Sequence, residues 1–188
     1  FKLNPGSTIE IDIFSDSFQL SKQKNFWQFQ KAKYNSNFYS NNEHALESIE
    51  DKLKTVVSQQ MISDVPLGAF LSGGIDSTLV LALIRKSFPD LKINVISIKF
   101  FNSVDETITA KKISENFETE HEIIDVENYL LDLPAAIEII GIPFWDIHWY
   151  YIAKNAKSKS NFLASGDGGD ELFGGYTFRY RKFFIINQ

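Results

Sequence analysis

The sequence predicts an α/β architecture with a parallel sheet, preceded by a small N-terminal β appendage. Three observations carry that prediction. Short apolar runs (66–71, 92–100, 121–125 and 161–165) alternate with stretches at helical spacing, the pattern of β-α units that pair in parallel. Two of those runs end in glycine-rich loops, at Ser72-Gly73-Gly74 and at Gly166-Asp167-Gly168-Gly169-Asp170. The first forty residues lack the alternation with helices altogether.

In chain order, Pro5-Gly6 is a turn signal. Thr8 to Phe14 alternates as a strand, with Ile9, Ile11 and Ile13 on one face and Glu10 and Asp12 on the other. Asn25 to Lys33 is a second, aromatic-rich candidate with Phe26, Trp27 and Phe29, and 34–41 reads as a linker. Residues 1–40 therefore form one unit, and 41–188 the main domain. From Asn42, a candidate cap, Leu46, Ile49, Leu53 and Val56 fall at helical spacing and predict an amphipathic core helix. The strand at 66–71 leads through Ser72-Gly73-Gly74 into a helix from Ile75 to Lys86. A strand over 92–100, a helix over 105–117 and a strand over 121–125 follow. Residues 126–140 are helical, with Pro134 interrupting or restarting the helix. A helix over 148–157 and a strand over 161–165 complete the pattern.

Hydrophobic residues make up 44% and charged residues 23%, enough apolar material for a core and too little charge for a disordered chain. The net charge of -5 argues against a nucleic-acid binder. No run approaches the roughly 18 apolar residues of a membrane helix, and no signal peptide is evident. The absence of cysteine excludes disulfides, thiolate zinc sites and a cysteine nucleophile within this chain. The three histidines, at 44, 121 and 148, show no metal-ligand spacing.

In an open parallel sheet, ligands sit at the carboxyl ends of the strands. A strand, a Ser-Gly-Gly turn and a helix can hold phosphate there. Gly73 and Gly74 offer unusual backbone angles and close approach. The helix start offers unpaired N–H groups and partial positive charge, and Ser72 and Ser77 add hydroxyls. Asp76 would repel phosphate unless a cation lies between them, which points to Mg²⁺. The plain alternative is an ordinary strand-to-helix turn. The second loop, Ser165 to Tyr176, packs three acids and five glycines into twelve residues. Such acid density suggests a metal or a cationic substrate, with a solvated surface loop as the alternative.

The six residues Ser72-Gly73-Gly74-Ile75-Asp76-Ser77 resemble the Ser-Gly-Gly-x-Asp-Ser motif of the PP-loop ATP-pyrophosphatases, and are unlike a Walker loop because no Gly-Lys-Ser/Thr is present. Ser165 to Tyr176 resembles the second signature of glutamine-dependent asparagine synthetases. Asp64-Val65-Pro66, Asp105-Glu106-Thr107 with Ala110, and the spacing between the loops fit the same family. The resemblance covers about residues 42–176.

It implies a Rossmann-like sheet of the adenine-nucleotide alpha hydrolase type, and ATP and Mg²⁺ as cofactors. Leu71, Ser72, Gly73, Gly74, Asp76 and Ser77 match the nucleotide and pyrophosphate loop, Ile98 the adenine contact, and Ser165 and Gly166 further ATP contacts. Asp76 and Asp170 match the metal-binding carboxylates. Asp167 stands where the family has a glutamate linked to forming and aminating the acyl-adenylate. The implied reaction adenylates the aspartate side chain to β-aspartyl-AMP, then aminates it with ammonia, drawn from glutamine by an upstream glutaminase domain in cis. Pro5-Gly6 and the Trp27 region resemble the end of that domain. ATP dependence and the absence of an export signal point to a cytoplasmic location, and a homodimer is one arrangement left open. The segment after the second loop resembles a domain cut short, with Arg179, Arg181 and Lys182 as phosphate-contact candidates or a solvated basic face. Trp145, Asp146, His148 and Trp149 lie near where the family builds its acceptor pocket, with helix packing as the alternative for the two tryptophans and a helix start for Asp146 and His148. Two rivals remain open: a sister synthetase that adenylates another carboxylate or closes a ring, and a non-catalytic ATP-binding module.

Overall fold

The computed structural model describes residues 3–28, 41–141, 147–156 and 162–176. The chain divides into two compact units, Phe1–Ala45 and Leu46–Gln188.

In the first unit, β1 (Ser7–Thr8) pairs antiparallel with β4 (Lys24–Asn25), and β2 (Ile11–Ile13) with β3 (Phe18–Leu20). The Pro5-Gly6 turn is real: Gly6 has φ +66°, and its carbonyl accepts from both Phe26 N–H and Trp27 N–H, at 2.9 and 3.1 Å. The continuous strand expected over residues 8–14 is instead split between β1 and β2. Its alternation marks no buried face, since Ile11 and Ile13 are 54% and 82% exposed. Strands of two or three residues, each paired on one side, have no layer against which to bury an apolar face. The second candidate strand is reduced to β4, and its remainder from residue 29, with the linker as far as residue 40, lies outside the described residues.

Helix α1 (Asn42–Gln60) runs across the boundary at Leu46, and most of it belongs to the second unit. Its cap is Asn41 and not Asn42: the Asn41 side-chain oxygen accepts from His44 N–H at 2.8 Å. The expectation of a core helix needs a further correction. No residue of α1 is fully buried, and Leu46 and Val56 remain 67% and 51% exposed. Contact with the core is made near the end of the helix, through Val57 and the following Met61, which stack four apart on the same face as Ile49 and Leu53.

The sheet contains β5 (Leu67–Phe70), β6 (Asn94–Phe100), β7 (Glu120–Val126) and β8 (Phe162–Ala164) in the order β7-β6-β5-β8, every pair parallel. Helices α2 (Ile75–Ser87), α3 (Thr107–Asn116), α4 (Tyr129–Ile140) and α5 (His148–Ala156) connect or flank the strands. Successive residues of β6 serve opposite faces. Val95 packs with Leu81 and Ile84 of α2 and Ala110 of α3. Ile98 and Phe100 pack with Ala136 of α4 and Tyr151 of α5. Both faces are thus covered, which explains why these strands read as continuous apolar runs. Leu81, Ile84, Val95 and Ile96 are each no more than 1% exposed, and burial of a side chain of this size contributes about 1.5–3 kcal/mol.

Most element ends in the second unit shift by one or two residues from the sequence reading, and the largest shift is at the start of α4. Strand β7 runs on through Val126, so α4 starts later, where the Asn128 side chain accepts from Leu130 N–H at 3.2 Å. Pro134 lies inside α4 without ending it. Among the described residues, no helix is long and apolar enough to cross a membrane.

Candidate functional site

The first loop is a self-bonded turn at the end of β5. Leu71 N–H donates to Ile96 O at 2.9 Å, extending the β5–β6 ladder by one residue. Ser72 N–H then donates to Ser77 Oγ at 3.2 Å. The two serine hydroxyls lie 3.1 Å apart, and Gly74 N–H donates to Ser72 Oγ at 3.2 Å. Gly73 is required for two reasons: its φ is +82°, and a Cβ there would stand 3.0 Å from Glu106 O. Gly74, by contrast, takes φ -77° and ψ 169°, open to any residue, so only one of the two glycines supplies unusual angles. No side chain caps α2 at Gly74, and its first turn offers backbone N–H groups to an anion.

The second loop follows β8, the strand next to β5 on the side away from β6. The chain runs outward from β5 to β6 and β7 and then returns to the other side of β5 as β8. The strand order thus reverses between β5 and β8, where an open α/β sheet forms its ligand crevice at the carboxyl ends. The loop contains a feature missed in the sequence, the short helix α6 (Gly169–Phe173). Glycine density hid it, although Asp170 and Glu171 stand in its first turn, where acids favour a helix start. The two loops touch at Asp76. A Cβ on Gly166 would lie 2.8 Å from the Asp76 carbonyl carbon and from Ser77 N, and one on Gly169 would lie 2.7 Å from Asp76 Cγ.

Two contiguous cavities open here. One, of about 220 Å³, is lined by Leu71, Ser97, Ile98, Glu106, Thr107 and His148, among others. The other, of about 240 Å³, is lined by Asp76, Ser77, Gly166, Asp170, Glu171 and Tyr176, among others. Phe70, Ser72 and Asp167 line both. The structure thus brings together Leu71, Ser72, Asp76, Ser77, Ile98, Gly166, Asp167 and Asp170 from the sequence-predicted set. Gly73 and Gly74 shape the turn and line neither cavity. Ser165 also lines neither; its Oγ accepts from Asp167 N–H at 3.4 Å, and it borders the apolar groove between α1, α2 and β8.

Glu106, Thr107 and Phe70 join the walls without having been singled out as site residues. The signal for the first two was topological: they follow the carboxyl end of β6, beside the strand carrying the first loop. Asp105 anchors them by accepting from Thr107 N–H at 3.0 Å and from the Thr107 hydroxyl, and by pairing with Lys99 at 2.7 Å. The Lys99 ammonium, then the Thr107 hydroxyl, hold the Asp105 carboxyl below its ordinary value. Trp149 stands against Phe70 with ring centroids 5.9 Å apart. Trp145, Asp146, Arg179, Arg181 and Lys182 lie outside the described residues.

Asp76, Asp167, Asp170 and Glu171 face one cavity, and no lysine or arginine among the described residues lines either one. Among the described residues, no three acids or histidines gather closely enough to hold a metal by themselves. A Mg²⁺ ion needs only one or two carboxylates when substrate phosphates and waters complete its shell. Asp76 and Asp170 both line the second cavity and are the pair the resemblance implies for that role.

The sequence matches the profile of the family described as asparagine synthase over residues 48–186. The glutamine-hydrolysing asparagine synthetase 1 of Bacillus subtilis (strain 168) is 33% identical over 192 residues, covering 96% of this chain and 28% of that protein. The glutamine-hydrolysing asparagine synthetase of Gallus gallus is 26% identical over 154 residues, covering 72% of this chain and 27% of that protein. The chain thus spans under a third of the length of these relatives. Among solved structures, the NH3-dependent NAD synthetase of Campylobacter jejuni aligns with TM-score 0.49 and 19% identity, over 69% of this chain and 60% of that one.

Proposed function

The chain belongs to the asparagine synthase family, and on that premise we propose that it forms the ATP-using synthetase part of a glutamine-hydrolysing asparagine synthetase. One observation carries the reading: the two loops of the family's signatures meet at Asp76, at the switch point between β5 and β8. The adenosine of ATP would occupy the cavity of Leu71 and Ile98, and the phosphates the one bounded by Ser72, Ser77 and the start of α2. The aspartate side-chain carboxylate attacks the α-phosphorus, and pyrophosphate leaves. Ammonia then attacks the acyl carbon of β-aspartyl-AMP, and AMP leaves.

Charge grows on the departing pyrophosphate, and backbone N–H groups fixed beforehand stabilise it without reorganising. A bound Mg²⁺, held by Asp76 and Asp170, would neutralise phosphate charge. Asp167 borders both cavities, and in this reading its carboxylate accepts the proton that ammonia sheds. Residues 1–40 are read as the end of a glutaminase domain, whose greater part lies upstream of this chain and supplies the ammonia. The proposed location is the cytoplasm. A second acceptor stays open on one observation: Asp167 is one methylene shorter than the glutamate of the family signature.

The test is pyrophosphate release by the full-length protein from Mg·ATP and ammonia, with aspartate and other acids as acceptors. Aspartate-dependent release with asparagine and AMP as products is expected, and Asp76→Ala should lower it by about 100-fold or more. Release with another acid only would transfer the site to a sister reaction. No release and no ATP binding would refute the nucleotide site.

A further inference from the structure

We propose that Ser97 and His121 are positioning residues that set the orientation of the first loop from behind. Ser97 is 1% exposed, a hydroxyl in the otherwise apolar centre of β6. Its Oγ donates to Leu71 O, the last carbonyl before the loop. The N–H on the other side of the same peptide, that of Ser72, donates to Ser77 Oγ. The Leu71–Ser72 peptide plane is therefore held at both ends, from β6 and from α2. That plane fixes where Ser72 and the turn behind it point.

The serine has one proton, and Leu71 O takes it. The 2.8 Å contact between Ser97 Oγ and His121 Nε2 must then be donated by the imidazole. This requires the proton on Nε2, and so assigns the tautomer. A single line of side-chain bonds thus runs from β7 through β6 to the end of β5. His121 is set in a depression lined by Lys111, Ser114, Glu115, Thr119 and Ile123, on α3 and β7 and outside both cavities. Burial, then the Lys111 charge, hold its imidazole below the ordinary value, while Glu115 pulls the other way. Ser97 forms part of the wall of the Leu71–Ile98 cavity, but with its proton committed it acts on a ligand through the loop. The link to catalysis rests on the nucleotide reading above. The link to loop geometry does not.

The test combines two readouts on the full-length protein. Hydrogen exchange of the amides in 71–78, without ligand, reports the loop alone. KM for Mg·ATP against KM for the acceptor reports its use. Ser97→Ala orphans the buried Leu71 carbonyl, and His121→Leu removes the donor that orients the hydroxyl. Both should speed exchange at Ser72 and Gly74 by about tenfold and raise KM for Mg·ATP by a similar factor, above any change in KM for the acceptor. His121→Gln, which keeps an N–H donor, should recover most of what His121→Leu loses. Unchanged loop exchange in Ser97→Ala would overturn the proposal. So would faster exchange spread evenly over the chain with both KM values rising together, the mark of general destabilisation. Loop-specific loosening in a protein that does not use ATP would uphold the positioning role and refute the nucleotide reading.

Discussion

Asp76 is where single residues matter most, because neighbouring backbone approaches it so closely. Gly166 has no room for a methyl group: the atoms 2.8 Å from its added Cβ include the Asp76 carbonyl carbon and Ser77 N. Backbone cannot swing aside as a long side chain can. Gly166→Ala should therefore push the two loops apart, cost about 1–3 kcal/mol in denaturant unfolding and weaken Mg·ATP binding measured by calorimetry. A stability loss without weaker binding would detach the loop contact from nucleotide recognition. At this scale the sequence was informative wherever a residue type is chemically unusual for its setting. Ser72, Gly73, Asp76 and Asp170 stood out in that way. Ser97 did not, because a serine within a strand is ordinary until its burial and its partners are known.

At the scale of elements, Arg85 shows how helix ends are tied to the sheet. It lies in the last turn of α2, where a cation favours the helix dipole. Its Nε donates to Phe117 O at 2.9 Å and Nη2 to Glu118 O at 3.1 Å, just past the end of α3. Nη1 donates to Pro89 O and Leu91 O at 2.7 and 2.8 Å, in the turn before β6. Glu118 has φ +51°, a left-handed conformation that costs a residue with a side chain about 1–2 kcal/mol. Arg85 is one of the contacts that hold it. Arg85→Ala should lower stability by about 2–3 kcal/mol, since hydrogen bonds to a charged group are the stronger ones. Thermal unfolding checks this, and hydrogen exchange should show the loss first at 117–119. Nothing in the order of residues around position 85 distinguishes this arginine from the more exposed lysine beside it.

Across the second unit as a whole, α1 is tied to α2 by charge as well as by apolar contact. Glu50 meets Lys86 and Lys54, at 2.5 and 2.9 Å. The hydrogen bond from Lys86, then that from Lys54, bring its pKa down from 4.5 to about 2. A depressed carboxylate stabilises the fold fully above its ordinary value, and that contribution is lost as pH falls from 4.5 towards 2. These groups are exposed, so salt should screen the effect. Glu50→Gln should flatten the acid limb of a stability-against-pH curve in low salt, and high salt should shrink the difference from the parent. An unchanged acid limb would mean that the pair leaves α1 docking unaffected.

The sequence by itself determined the order of strands and helices in the second unit apart from the short α6, the positions of both loops and most of the residues around the crevice. It could do so because apolar period, glycine and acid placement are local properties, and because the second unit buries both faces of its sheet. Where no layer is present to bury a face, as for Ile11 and Ile13, the same alternation carried no information about burial. Tertiary structure alone decided the strand order, which sets β8 beside β5 and brings Gly166 and Gly169 against Asp76 across some ninety positions of chain. It also decided that α1 would meet the core at Val57 and leave Leu46 and Val56 exposed. The Ser97–His121 line behind the first loop joins three strands, and a bond between strands has no signature within any one of them.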